Sequence, residues 1–434
     1  MARVRETRAD RITNLPVDVL NRVLVLLPIK DAAKTSILST KWRHQWRSIP
    51  ELVFDGSFPV GPGGSPSTSM MNKTMFNIFK ALLLHDGPIK KFVIAFPGLR
   101  SCYGNAIDEI VLYLSQRHLE EFALPCAAGD GQKYKLHSSL FTCLQLNMLR
   151  LRHCELGQPS WFVGFGKLMS LVLMSVTLPS DFCENFLLKC PMLKRLRVTD
   201  CDGPSNLEIV APRLVWFRFS YRDPQKICFK CTPLLVSLRL CWNFEKTADM
   251  VALLASLPAL KEFNVDFGLP QNIAVGVSDV PSRLPAPLHR LKRLHTWDLD
   301  FRSLETARFF VCLIISSPNL RELTIKLRRS KPSQPAANRD ATTTSIGSLL
   351  EAEYRHGSGD CFLQKLRVFR IEKCLGTQVE LDLVKFVLAT APVLERIHIP
   401  PLRKLSSGKI VEFMKEIMKY KRLSKEAMVI YKSK

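Results

Sequence analysis

The chain has 434 residues, 47% of them apolar, which allows two or three domains with substantial cores and excludes a wholly disordered protein. Lysine and arginine number 62 against 39 acidic residues, a formal charge of +23 that favours acidic partners or nucleic acid without specifying a fold. No apolar run approaches the ~18 residues of a membrane span, and the charged start MARVRETRADR lacks the apolar run of a secretion signal, so the expectation is a cytosolic or nuclear chain without membrane contact. Thirteen cysteines, an odd number without regular spacing, read as reduced thiols. Cys228 and Cys231 form a C-x-x-C, but no second ligand pair accompanies it, and the pair reads as part of a strand rather than a metal site.

The stretch from Asn14 to Trp46 predicts three short helices. Pro16 opens the first, Asp18 adds a carboxylate to its first turn, and Val19, Leu20, Val23, Leu24 and Leu27 fall on one face before Pro28 ends it. Asp31 starts a second helix carrying Ala32, Ala33, Ile37 and Leu38; Ser39 caps a third in which Trp42 and Trp46 stand one turn apart. About 35 residues are too few for an independent core, so these apolar faces must dock, either as a helical cap on the following domain or on another molecule. The pattern L-P-x-D-x-L, then L-P-x-K-D-A, then S-I-L-S-x-K-W-R, carried by Leu15, Pro16, Asp18, Leu20, Leu27, Pro28, Lys30, Asp31, Ala32, Ser36, Ile37, Leu38, Ser39, Lys41, Trp42 and Arg43, resembles a plant F-box. The resemblance implies binding to a small SCF adaptor protein and, through it, to a cullin-based ubiquitin ligase. Leu15, Pro16, Leu20, Leu24, Leu27, Pro28, Ile37, Leu38 and Trp42 are the adaptor-contact candidates, some of which must instead pack the helices together.

Ile49, Leu52 and Phe54 then read as a strand, and DGSFPVGPGGSPSTS as a linker or disordered loop over residues 56–72. From residue 73 an apolar residue recurs with others three and five positions on, as in Leu146/Leu149/Leu151, Leu193/Leu196/Val198, Leu235/Leu238/Leu240, Leu294/Trp297/Leu299 and Leu394/Ile397/Ile399. Intervals of mostly about 21 to 30 residues lie in the range of leucine-rich repeats, whose stacked strands bury a shared core. Amphipathic helices are expected at DFCENFLLKC, TADMVALLASL and LETARFFVCLIISS, whereas residues 207–240 look strand-rich. Cys154, Cys201, Asn243 and Cys374 follow the last strand apolar by three, where such repeats turn the chain. Residues 268–290 and 328–345 read as insertions; Arg328, Arg329 and Lys331 in the second form a solvated basic loop or a nuclear-import cluster.

Near the C-terminus Thr377 and Glu380 match a capping box ahead of a helix with Leu381, Val384, Leu388 and Ala391. A further helix carries Ile410, Phe413, Met414 and Ile417 before a strand at 428–431. LRVFRIEKCLGTQVELDLVKFVLATAPVLERIHI resembles the FBD domain that follows leucine-rich repeats in many plant F-box proteins. The expectation is an α/β chain: a three-helix F-box over 8–48, a curved leucine-rich-repeat solenoid over 73–360, and an FBD-like α/β segment over 361–434.

Within each strand the residue between the second and third apolar positions faces away from the core. That column reads Arg150, Val172, Arg197, Arg218, Arg239, Asn264, Asp298, Thr324, Arg370 and His398, with Arg152 and Arg195 on neighbouring outward positions; Glu262, Asp266, Asp298 and Asp300 turn the later copies acidic. Arg150, Arg195, Arg197, Arg218 and Arg239 are either long side chains solvating a sheet or a patch that grips an acidic or phosphorylated target protein. No phosphate-cradling loop, metal-ligand motif or nucleophile signature is found, and His153 and Cys154, being adjacent on a strand, face opposite ways. The expectation is a target receptor with no catalytic residue, metal or cofactor. The alternative is a basic solenoid that binds nucleic acid or serves as a non-ligase scaffold, for which few aromatics interleave with the arginines.

Overall fold

The computed structural model describes residues 15–40, 42–54, 68–94, 99, 101–126, 132–220, 226–241, 247–267, 280–301, 304–328, 363–402 and 406–431. They fall into two compact units, within residues 1–204 and 205–434. Among the described residues no helix is long and apolar enough to cross a membrane.

The first unit opens with α1 (Val17–Val25), in which the N–H groups of Val19 and Leu20 donate to the Pro16 carbonyl. Of the expected apolar face only Leu20 and Leu24 are buried; Val19, Val23 and Leu27 are exposed. The second helix, α2 (Ile29–Lys34), is as short as expected, and its Pro28 carbonyl accepts from Asp31 and Ala32. The third helix is not formed. Gln45–Ser48 make one 3-10 turn, with Gln45 and Arg47 donating back to Trp42 and His44, and Pro50 holds Ile49 extended, which ends the turn. Ser39 Oγ still accepts from the Trp42 N–H at 3.4 Å, and both indoles are buried.

A polar seam joins this module to the first repeat. The Arg47 guanidinium donates to the Leu84 carbonyl at 2.5 Å and pairs with Asp86 at 3.0 Å, and the Asp86 N–H donates to the Arg47 carbonyl at 2.9 Å. The His85 ring Nε2 lies 2.8 Å from the Ile49 carbonyl. A Cβ at Gly87 would sit 2.8 Å from the Ser48 carbonyl oxygen, so the approach requires glycine.

A parallel ladder comes next: β1 (Glu51–Phe54), β2 (Lys91–Ile94) and β3 (Glu121–Pro125), then, past the short β4 (Tyr134–Lys135), β5 (Met148–Arg152). Beyond the short β6 (Cys154–Glu155), which pairs with β4, come β7 (Ser170–Met174) and β8 (Arg195–Thr199). The repeats therefore begin at β1 rather than at residue 73, because Ile49, Leu52 and Phe54 already show the same spacing and are buried like every later copy. Helix α3 (Thr68–Leu83) starts inside the expected 56–72 linker; residues 55–67 lie outside the described set. Helix α4 (Gly104–Ser115) precedes β3, while DFCENFLLKC forms a π turn over Phe182–Leu187, with the Leu188 N–H reaching the Cys183 carbonyl. That wider turn lets Phe182 and Phe186 both enter a core with Phe141, Phe162 and Phe165.

In the second unit a pair, β9 (Asn206–Val210) with β11 (Lys226–Cys231), stands apart from the main ladder of β10 (Trp216–Ser220), β12 (Ser237–Cys241), β13 (Glu262–Asp266) and β14 (Arg293–Leu299). The ladder continues through β15 (Glu322–Leu327), β16 (Val368–Glu372), β17 (Arg396–Ile399) and β18 (Met428–Tyr431). Helices α5 (Thr247–Ala255), α6 (Leu304–Ile315), α7 (Gln378–Thr390) and α8 (Ser407–Lys419) precede β13, β15, β17 and β18. Glu380, wholly buried, closes the capping box of α7 by accepting from the N–H groups of Leu375 and Thr377. The second of the expected insertions lies almost wholly outside the described residues, as does residue 243.

One copy departs from the expected register. Of the expected Leu294, Trp297 and Leu299 in β14, the first and last are buried but Trp297 is not; Thr296 takes the inward place after Leu294, paired to Val265 and Ile325 and fully buried. The extra residues form a bulge, so Trp297 turns outward and Asp298 takes a left-handed conformation (φ 49°). His153, Ser175, Asp200 and Lys373 adopt the same conformation just past their strands, each followed by a buried Cys154, Val176, Cys201 or Cys374. Burial pushes the Cys201 thiol up to about 11, as suits a small apolar corner residue.

Gly164 has φ 124°, and a Cβ there would lie 2.3 Å from the Lys189 carbonyl oxygen. Gly164→Ala is expected to cost about 2–4 kcal/mol of stability, read from chemical denaturation. His85 supplies a second test: burial depresses its pKa below the ordinary 6.5, with the Ile49 hydrogen bond opposing. The unfolded chain thus takes up the proton first, and His85 contributes stability above about pH 6.5 that is lost as pH falls. His85→Gln is expected to flatten the decline in unfolding temperature between neutral and mildly acidic pH.

Candidate functional site

Two kinds of surface remain once the cores are filled. On the N-terminal module the packing separates the nine candidate residues: Leu20, Leu24 and Trp42 are interior, Leu15 and Pro28 half-buried, and Pro16, Leu27, Ile37 and Leu38 exposed. Ile37 and Leu38 are 86% and 66% exposed, on the turn after α2, and Leu26, beyond α1, is 83% exposed. Val17, Val19 and Val23 are exposed as well. The run VDVLNRVLVLL carries two apolar stripes one residue apart, and the fold buries only Leu20 and Leu24. Sequence reasoning missed Val17 and Leu26 and placed Val19 and Val23 on one face with Leu20 and Leu24, because a period of 3.6 fits both stripes.

On the outward face of the first unit, the ladder sets Met148, Ser170 and Arg195 in one row and Arg150, Val172 and Arg197 in the next. Arg152, Met174 and Thr199 make the third. Arg150, Arg152 and Arg195 are exposed and Arg197 half-buried, its Nε donating to Thr199 Oγ1 at 3.2 Å. None of the four has an acidic partner among the described residues. Their field is felt nearby: burial first, then Arg152 and Lys133, holds His153 below its usual pKa. Earlier in the same face the charges are matched. Lys91 bridges Glu51 at 3.2 Å and Glu121 at 3.6 Å, and although burial opposes, these carboxylates raise its pKa.

Arg218 and Arg239 belong to the second unit, where they pair in register on β10 and β12. The five candidate arginines are thus three in one unit and two in the other. Continuing the second column, Asn264, His295, Thr324, Arg370 and His398 stand side by side. His295 occupies the place expected of Asp298, a consequence of the β14 bulge. The acidic residues of this face are paired across strands: Glu262 with Arg293 at 2.9 Å, Glu322 with Arg370 at 3.1 Å, and Asp298 with Lys326 at 2.7 Å. Arg239 and Lys326 flank the Trp297 ring at 5.7 and 5.5 Å. Burial depresses the His295 pKa despite Glu262 and Glu322 beside it.

Among the described residues no group of three His, Cys, Asp or Glu could hold a metal ion. The arrangement offers binding: an apolar surface on short helices, and guanidinium groups held by a strand ladder.

Comparison with known proteins agrees with these parts. The F-box domain model matches residues 12–54, the leucine-rich-repeat model of FBD-associated F-box protein At5g56370 matches 107–267, and the FBD model matches 359–399. From Arabidopsis thaliana, the F-box/FBD/LRR-repeat protein At1g13570 is 30% identical over 97% of this chain and 98% of its own length. FBD-associated F-box protein At5g38590 is 24% identical over 89% of this chain and 92% of its own, and the probable FBD-associated F-box protein At1g32375 22% over 94% and 96%. With an F-box at its start, parallel-stranded leucine-rich repeats after it and an FBD near its end, the chain belongs to the plant F-box/FBD/LRR-repeat proteins.

Proposed function

We propose that this chain is the target-recognition subunit of a cullin-based, SCF-type ubiquitin ligase: the N-terminal module seats on the small adaptor protein, and the repeats hold a target. The observation that carries the first half is the exposure of Leu26, Ile37 and Leu38 on a module whose own core has closed over Leu20, Leu24 and Trp42. Side chains of this size exposed on so small a module favour a partner that covers them. Tethering the target beside the charged ubiquitin carrier raises the local concentration of its lysines, so the transfer chemistry resides in other subunits.

The second half rests on the four arginines of β5 and β8. Arg150 and Arg152 lie about 7 Å apart along one strand, as do Arg195 and Arg197, and the two pairs are about 10 Å apart across β7. Val172 and Met174 fill the space between them. Such a surface suits an acidic or phosphorylated segment that places an apolar side chain over Val172 and anionic groups on both sides, where paired guanidinium donors grip oxygens.

Ile37→Asp combined with Leu38→Asp is expected to weaken adaptor capture by about a hundredfold or more, since each apolar side chain withdrawn from a contact loses about 1.5–3 kcal/mol. The unfolding temperature should not change, both residues being exposed; undiminished adaptor binding would remove the reading. For the target face, Arg150→Ala with Arg195→Ala should weaken capture of an acidic target segment about tenfold or more, and added salt should mimic much of that loss. Equal binding by the variant at all salt concentrations would assign the arginines to solvation alone.

A further inference from the structure

Between the N-terminal module and the first repeat, wholly within the first unit, lies a cleft of about 830 Å³. Ile29, Trp46 and Phe54, all buried, contribute its inner surface, and Met70, Ala81 and Leu84 extend the apolar wall along α3. Lys73, Asn77 and Lys80 line it from the same helix, recurring at the three- and four-residue spacing of one helical face, while Lys30 approaches from α2. All three lysines are exposed, and none has an acidic partner among the described residues. Ser36 also lines the cleft; its Oγ is shielded from water and has no hydrogen-bond partner among the described residues. Thr74 differs, its hydroxyl already donating to the Met70 carbonyl at 2.9 Å.

The volume lies within the range of small-molecule sites, and the lining has their usual make-up, apolar walls with a few polar groups. Three cations without acids, beside an apolar slot, are matched by a molecule that is apolar at one end and anionic at the other. An unpartnered buried hydroxyl calls for one further polar contact from the occupant. The geometry points to this cleft as a binding site for an amphipathic organic anion, its apolar body against Ile29, Trp46, Phe54 and Met70 and its carboxylate or sulfonate near Lys73 and Lys80. Such a ligand touches both α2 and α3, so it clamps the module to the first repeat. Leu26, Ile37 and Leu38 do not line the cleft, which separates it from the adaptor surface.

The full chain titrated with 8-anilinonaphthalene-1-sulfonate is expected to show a saturable fluorescent component and a rise in unfolding temperature with probe concentration. Lys73→Glu with Lys80→Glu, both exposed positions, should weaken that component at least tenfold, and Ala81→Trp, which fills the slot, should remove it. Ile37→Ser with Leu38→Ser should leave it unchanged. Absence of a saturable component, its survival in the lysine variant, or its loss in the Ile37/Leu38 variant would overturn the assignment. Should Ala81→Trp fail to fold, the lysine variant decides.

Discussion

A shared carbonyl sets the register of everything else in this chain. In the turn before each strand one backbone oxygen accepts two successive N–H groups from the next copy: Pro50, Lys90, Glu120, Asn147 and Met169 in the first unit, and Val215, Val236, Lys261, Lys292, Arg321 and Arg367 in the second. Each rung consumes two donors that the turn would otherwise leave unsatisfied, and it fixes which residue of one strand faces which residue of the next. A slip of one residue would turn Leu149 and Leu151 to solvent and Arg150 into the core, so the arrangement of the outward face is as strongly specified as the core beneath it. Left-handed corners at His153, Ser175, Asp200 and Lys373 then return the chain, and the buried residue after each fills the space the corner leaves.

The N-terminal module depends on this frame. Two short helices and two 3-10 turns, Thr35–Ile37 and Gln45–Ser48, bury too little apolar surface to stand alone. The seam built from Arg47, His85, Asp86 and Gly87 attaches them to the first repeat through backbone carbonyls rather than through apolar contact alone. Because the seam occupies the end of the module, the opposite stripe of α1 and the turn after α2 stay uncovered. A handle fixed in this way holds whatever it grips at a set orientation to β1, which a flexible tether would not do.

Most of this architecture was legible because its period is simple. The spacing of three and five positions is set by the entry turn and the pleat, and it located the main-ladder strands from β1 to β17 except β14 in the right register, while β18 reads only as a short terminal strand. Strand β14 misled because its sequence offers two apolar triplets. Leu294, Trp297 and Leu299 satisfy the spacing as well as Leu291, Leu294 and Thr296 do, and a threonine is not read as core, although it is a near isostere of valine and here is fully buried. The α1 face was ambiguous for a related reason, since Val19/Val23 and Leu20/Leu24 are equally apolar and only tertiary packing chooses between them. The third helix is reduced to the 3-10 turn Gln45–Ser48, whose end was legible in the effect of Pro50 on Ile49. Of the surfaces, the exposed arginines could be placed from pleat alone, whereas the cleft beside α3 needed segments more than thirty residues apart to be brought together, which no local pattern encodes.

The two units also differ in how their charge is arranged. On the second, Glu262, Glu322 and Asp298 meet Arg293, Arg370 and Lys326 across neighbouring strands. Each pair is partly solvated and contributes little stability, about 0–1 kcal/mol, but together they leave that face locally balanced and its arginines already engaged. On the first, the acids end at Glu121, and Arg150, Arg152, Arg195 and Arg197 follow without them. Four like charges, two on each of two strands separated by β7, repel one another, a cost that the ladder imposes and that bound anions relieve. The overall charge of +23 is therefore a poor guide to where a partner sits. Among the described residues, cations that the fold leaves without a counter-charge cluster on β5 and β8 and again beside α3.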